Sequence, residues 1–173
     1  MFRICSVPFS IDAPAGLRRP VVRLDADDGV PELVELPWGL EPFTPDQKPF
    51  RYIRSEGRTF PTHRCLVPAS EFHLRSSGRT YRVALRSGDW FYFAGVWRPK
   101  TAMWPEAFAI ITTEANPDVA PYQDRQGVVI VRGEHCRWLQ QPDADERLAT
   151  LPGNSFDVEE MVRSGRRQRA LSF

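Results

Sequence analysis

Residues 64 to 98 read RCLVPASEFHLRSSGRTYRVALRSGDWFYFAGVWR. Three largely apolar runs, at 64–75, 80–85 and 90–97, are separated by SSGR and RSGD. Short runs rich in aromatic and β-branched residues and bounded by glycine and serine predict strands, and the two glycine turns fit hairpin connections.

Outward from this block the pattern repeats. RPVVRLDADDGVPELVELPWGL (19–40) predicts a hairpin of VVRL and ELVEL across an Asp- and Gly-rich turn. FAIITT (108–113) and GVVIVR (127–132) are further strands, and MFRICSVPFS reads as an opening strand without the basic and apolar blocks of a signal peptide. Helical signal is sparse. GEHCRWLQQP predicts a helix with Glu134 in its first turn and Pro142 at its end. A weaker one is expected at NPDVAPYQ, capped by Asn116 with Pro117 in its first position. The expectation is an α+β, mostly β fold in one domain over 1–160, with a basic, flexible tail over 161–173. RSGRRQR in that tail suits either nucleic-acid contact or plain solvation.

No stretch approaches the roughly 20 apolar residues of a membrane helix, so a soluble protein is expected. Cys5, Cys65 and Cys136 form no CxxC pair, and His63, His73 and His135 are scattered, which argues against zinc and disulfides and for a reducing cytoplasm. Cys65 and Cys136 are expected as packed thiols.

The net charge is only +1, but of 23 basic residues all except Lys48 and Lys100 are arginine. Codon usage in a GC-rich genome accounts for such a bias, and so does phosphate recognition, which the planar guanidinium suits. Near-neutrality excludes a polycation and leaves a local patch, for which RYIRSEGRTFPTHR (51–64) is the candidate, with Arg51, Arg54, Arg58 and Arg64. The phosphate-cradling glycine loop, HExxH, GxSxG and DxDxDG are all missing. In PYQDRQGVVI (121–130) the Asp124 and Arg125 pair fits either a solvated ion pair or part of a site.

A set of segments nevertheless stands in a fixed order: PVVR (20–23), PWGLEP (37–42), YIRSE (52–56), RCLVPASEF (64–72), FAGVW (93–97), ITTEAN (111–116), APYQDRQGVVI (120–130) and a helix ending in WL. Over about residues 20 to 140 this wording resembles the SOS response-associated peptidase (SRAP) family. The resemblance implies a distorted β-barrel with a few short helices and a positive groove for single-stranded DNA. It also implies a cysteine following the initiator methionine that captures abasic sites as a thiazolidine, with peptidase-like chemistry from the same machinery.

Matched residue by residue, the catalytic positions differ. Phe2 stands in place of the cysteine; it should block removal of Met1, and the amine of Cys5 is locked in a peptide bond. Tyr52 replaces an asparagine, Leu74 a glutamate and Gln123 a histidine. Glu71 and His73 are an odd number of residues from Leu74 and should face the other way on a regular strand. The positions that grip DNA are retained: Arg54, Arg125, Trp38 and Gly39, with Arg3 one residue out of register. Each also has a structural alternative, Trp38 as core packing, Arg54 paired with Glu56 or Glu71, and Arg125 with Asp124. The expectation is a monomeric single-stranded DNA binder of the DNA damage response, catalytically degenerate, without metal or cofactor. The alternatives are an enzyme using the Met1 amine or Cys5, and a protein-interaction remnant.

Overall fold

The structure, a computed structural model, describes residues 7–141 and 148–162. Met1, Phe2, Arg3, Cys5, Pro142 and the tail from 163 onward lie outside the described residues.

The run at 64–75, expected as one strand, is two. β5 (Arg64–Ala69) and β6 (Glu71–Ser76) belong to different sheets, and the chain turns the corner at Ser70, which exchanges hydrogen bonds with Val7. Before the corner come β1 (Pro8–Ser10), β2 (Arg18–Leu24), β3 (Pro31–Pro37) and β4 (Tyr52–Arg54). After it come β7 (Arg79–Leu85), β8 (Phe91–Arg98), β9 (Ala107–Glu114), β10 (Arg125–Gly127), β11 (Val129–Val131), α1 (His135–Gln140) and β12 (Phe156–Glu160). The small sheet runs β1-β6-β7-β12, and the large one runs β10-β9-β8-β5-β2-β3, with β11 on β8 and β4 on β9.

SSGR makes the expected hairpin between β6 and β7: Ser77 and Gly78 both have positive φ, 50° and 76°, the combination whose twist matches paired strands. RSGD does not, because β7 and β8 lie in different sheets and the turn carries the chain across. GVVIVR is likewise interrupted. β10 pairs with β9 and β11 with β8, so the stretch forms a wedge where those two neighbours splay apart, with Val128 bonded to both. The wedge needs a glycine at 127, since a Cβ there would stand 2.5 Å from the Phe93 ring.

The central strands β5, β8 and β9 of the large sheet are buried on both faces, which is why their sequences run apolar without alternation, whereas β3 at its edge alternates. Phe91, Phe93, Phe108 and Ile110 face the small sheet, where they meet Phe9, Phe72, Leu74 and Phe156. Tyr92, Ala94, Ala109 and Ile111 face the opposite way, toward Trp138 and Leu139 of α1. The large sheet curls until Trp38, just past β3, forms a single bridge with Phe108 of β9. One bridge is not a ladder, so the expected barrel is approached and not closed.

The helix expected at 133–142 is present but shorter, as α1, with Glu134 at its N-cap rather than in its first turn, and NPDVAPYQ forms turns in which Asn116 caps Asp118 N–H at 2.7 Å. Cys65 is buried as expected, and burial pushes its thiol pKa up; Cys136, expected packed, is exposed. β12 carries no strong period and was not foreseen. It is latched by Asp118, whose carboxylate accepts the backbone N–H groups of Asn154, Ser155 and Phe156, each at 3.0 Å. Desolvation pushes the Asp118 pKa up, but these three donors outweigh it and hold it below the ordinary value. A depressed folded-state pKa gives stability that is present above the unfolded value and lost as pH falls through the folded one. Asp118→Ala is therefore expected to cost about 2 kcal/mol near neutrality after allowance for solvent screening. Urea denaturation should show that difference shrinking below about pH 4.

Candidate nucleic-acid interface

β9 has one edge covered by β8 and β10 and the other by β4, so the last residues of β4 and β10 meet across it. Arg54 is in register with Thr112 on one side and Gly127 with the same Thr112 on the other, while Arg125 lies opposite Glu114. The three strands form the floor of a trough of about 400 Å³, which Tyr52, Arg54, Gln123 and Arg125 line together with Asp12 and Arg51. Four of the positions singled out in the sequence thus converge.

Their states differ. Arg125 is fully engaged: its guanidinium forms a bidentate pair with Glu56 at 2.9 Å and 2.9 Å and donates to the Thr112 carbonyl at 2.9 Å. The expected pair with Asp124 does not form, and Glu56, expected beside Arg54, takes Arg125 instead. The Arg125 hydrogen bond, with a smaller share from Arg54, holds the Glu56 pKa below the ordinary carboxylate value. Arg51 donates to the Ala13 carbonyl. Arg54 is exposed and has no hydrogen bond or ion pair from its side chain to any described residue. It is the available cation of the trough floor.

Tyr52 is committed to structure. Its phenol donates to the Ile11 carbonyl at 2.8 Å, and its ring stands edge-on to Trp38 at 5.2 Å. Burial drives its pKa up, so it stays protonated and is no general base at neutral pH. Trp38 is fully buried, packed against Phe9 at 5.0 Å, with its indole N–H on the Arg51 carbonyl at 2.9 Å. It presents no exposed face here, as core packing requires. Gly39, with φ of 126° and a Cβ position 2.9 Å from Pro49, is reserved for glycine. Its carbonyl receives the Trp104 indole at 3.0 Å, and it acts by placing that residue.

Leu74 does not reach the trough. It is 1% exposed in the core, while Glu71 and His73 lie on the other face of β6 as alternation requires, bonded to each other at 2.7 Å. Glu71 also takes Arg82 at 2.6 Å. Of the arginines in 51–64, Arg64 is buried and donates to the carbonyls of Trp138 and Gln141 at the end of α1, so it belongs to the fold and not to a patch.

On the far side of β4 lies a larger cavity of about 620 Å³ that shares Tyr52 and Arg54 with the trough. Phe43, Phe50 and Trp104 wall it, and Arg58 and Arg98 join Arg54 at its rim. Sequence reasoning missed it: Phe43 and Trp104 sit in loops without periodicity, and of its rim only Arg54 and Arg58 fell in the arginine-rich stretch. Among the described residues no group of three His, Cys, Asp or Glu could hold a metal ion, and no helix is long and apolar enough to cross a membrane.

The profile of the family described as SOS response associated peptidase (SRAP) matches residues 12–164. The chain belongs to the SRAP family. Its structure is similar to that of a protein from Bordetella bronchiseptica, with TM-score 0.70, 19% identity and 92% of each chain covered. A phage-related protein from the same organism gives TM-score 0.68 at 23% identity, covering 87% of this chain and 81% of that one. A protein from Bacteroides thetaiotaomicron gives 0.64 at 18% identity, covering 85% and 75%. At these identities the likeness shows the fold alone. No curated protein matches the sequence. SRAP membership supports a role in the SOS-associated handling of abasic DNA.

Proposed function

We propose that this SRAP-family chain holds single-stranded DNA across β4, β9 and β10 as a monomer in a reducing cytoplasm, without forming the thiazolidine link to abasic sites. The observation that carries this reading is Tyr52. At a position where the family pattern has an asparagine, its phenol is spent on the Ile11 carbonyl and its ring fills the space beside Trp38. Closing a thiazolidine needs a free amine and a thiol on one residue together with groups that move protons. Phe2 has no thiol, Cys5 has no free amine, and Tyr52 and Gln123 are poor proton carriers at neutral pH. Binding needs less. A guanidinium that is free in the trough makes charge-assisted bonds to a backbone phosphate without any covalent step.

The deciding experiment incubates the full chain with a single strand carrying one abasic site, with and without borohydride, beside a gel-shift titration of the same strand. Saturable binding with no trapped adduct in either lane is expected. An adduct that needs borohydride would instead assign imine chemistry to the Met1 amine, and one that forms without it would assign a thiol route. Absence of any binding at low salt would end the DNA reading.

A further inference from the structure

We propose that the cavity walled by Phe43, Phe50 and Trp104 and rimmed by Arg54, Arg58 and Arg98 binds a nucleotide by its base and a terminal phosphate. At about 620 Å³ it falls within the range of small-molecule sites. Its walls are preset by bonds between two loops. Thr101 donates its hydroxyl to Glu41 at 3.1 Å, the Trp104 indole is fixed on Gly39, and Phe43 and Phe50 meet edge-on at 4.9 Å. Phe43 is 88% exposed, a large apolar ring left in water at the mouth of an aromatic cavity. Such a ring offers a free π-face, the feature on which bases stack without regard to sequence.

The charge at the rim narrows the ligand. Among the described residues Arg54 and Arg58 have no side-chain hydrogen bond or ion pair, and Arg98 donates only to the Trp97 carbonyl at 3.3 Å. The one carboxylate in the lining, Glu41, already accepts from Thr101. Three guanidiniums against one carboxylate leave an excess suited to the near-dianion of a terminal phosphate, where an internal phosphodiester carries a single charge. The same chemistry is offered by a free nucleoside monophosphate and by a phosphorylated strand end.

The test uses the full chain and two series of ligands. Calorimetry compares dAMP, deoxyadenosine and inorganic phosphate. Fluorescence anisotropy compares oligodeoxyadenylates ending in 5′-phosphate, 3′-phosphate or hydroxyl only. Binding of dAMP at least about tenfold tighter than of either fragment is expected, from charge-assisted bonds added to stacking. Arg98→Gln and Phe43→Ser, both on exposed side chains, should remove that advantage while leaving the affinity for hydroxyl-ended strands unchanged. A strand-end preference in the second series assigns the site to DNA ends, and dAMP binding without one assigns it to free nucleotides. Equal binding of all ligands, or an advantage that persists in both variants, overturns the proposal. The hydroxyl-ended strands report separately on the trough, so failure of one reading is distinguishable from failure of the other.

Discussion

Arg54→Ala is expected to weaken binding of a hydroxyl-ended single strand about tenfold, the worth of one charge-assisted contact to phosphate. Fluorescence anisotropy at about 50 mM salt, where backbone electrostatics are strongest, is the suitable measurement. The slope of log affinity against log salt should fall by about 0.7, the share of one phosphate contact on a single strand. The melting temperature should hold, because the side chain is exposed and makes no bond to a described residue. Glu56→Gln should act in the opposite direction. It removes a negative charge from the trough edge and releases the Arg125 guanidinium from its bidentate pair, so affinity should rise severalfold. If both variants bind like the parent, the trough is not where DNA sits.

The second large effect falls on stability. Trp38→Ala is expected to cost about 3–5 kcal/mol, the usual loss for truncating a buried aromatic. It also strips the Arg51 carbonyl of its donor and removes the ring on which Phe9 and Tyr52 pack. Chemical denaturation measures the loss directly. Trp38→Phe keeps most of the packing and gives up the indole hydrogen bond, worth about 1 kcal/mol. Its single-strand affinity should match the parent's within about twofold, because a fully buried ring touches no base. A variant that folds as stably as the parent and binds much more weakly would return Trp38 to the DNA surface and refute its assignment to the core.

The strands were legible where local chemistry decides them. The β2–β3 and β6–β7 hairpins follow from their turns, and the existence of α1, though not its start, was legible. What was not legible is where a continuous apolar run changes partner. Nothing in RCLVPASEFHLR marks Ser70 as a corner, because the residues on both sides are equally fit for a strand and only the approach of Val7 decides it. The same holds at Val128. Within the site, the positions were readable and their partners were not. Arg125 has an acid next to it in sequence, yet its pair is Glu56, brought near by the parallel docking of β4 on β9. The alternation expected at Leu74 is what the strand shows, with Leu74 in the core and Glu71 and His73 on the other face. Trp38 shows the limit of wording without packing: the same Trp-Gly pair suits a groove wall and a barrel plug, and only burial distinguishes them.

The Tyr52 phenol has a consequence for how this site can change. At that position a small polar amide and a large ring are no longer interchangeable. The ring supports Trp38 and the hydroxyl ties β4 to the segment at Ile11. Tyr52→Asn would leave a hollow beside the indole and an unmet carbonyl, so that substitution costs stability. The phenol thus makes one side chain answerable both for the stability of the fold and for the shape of the trough.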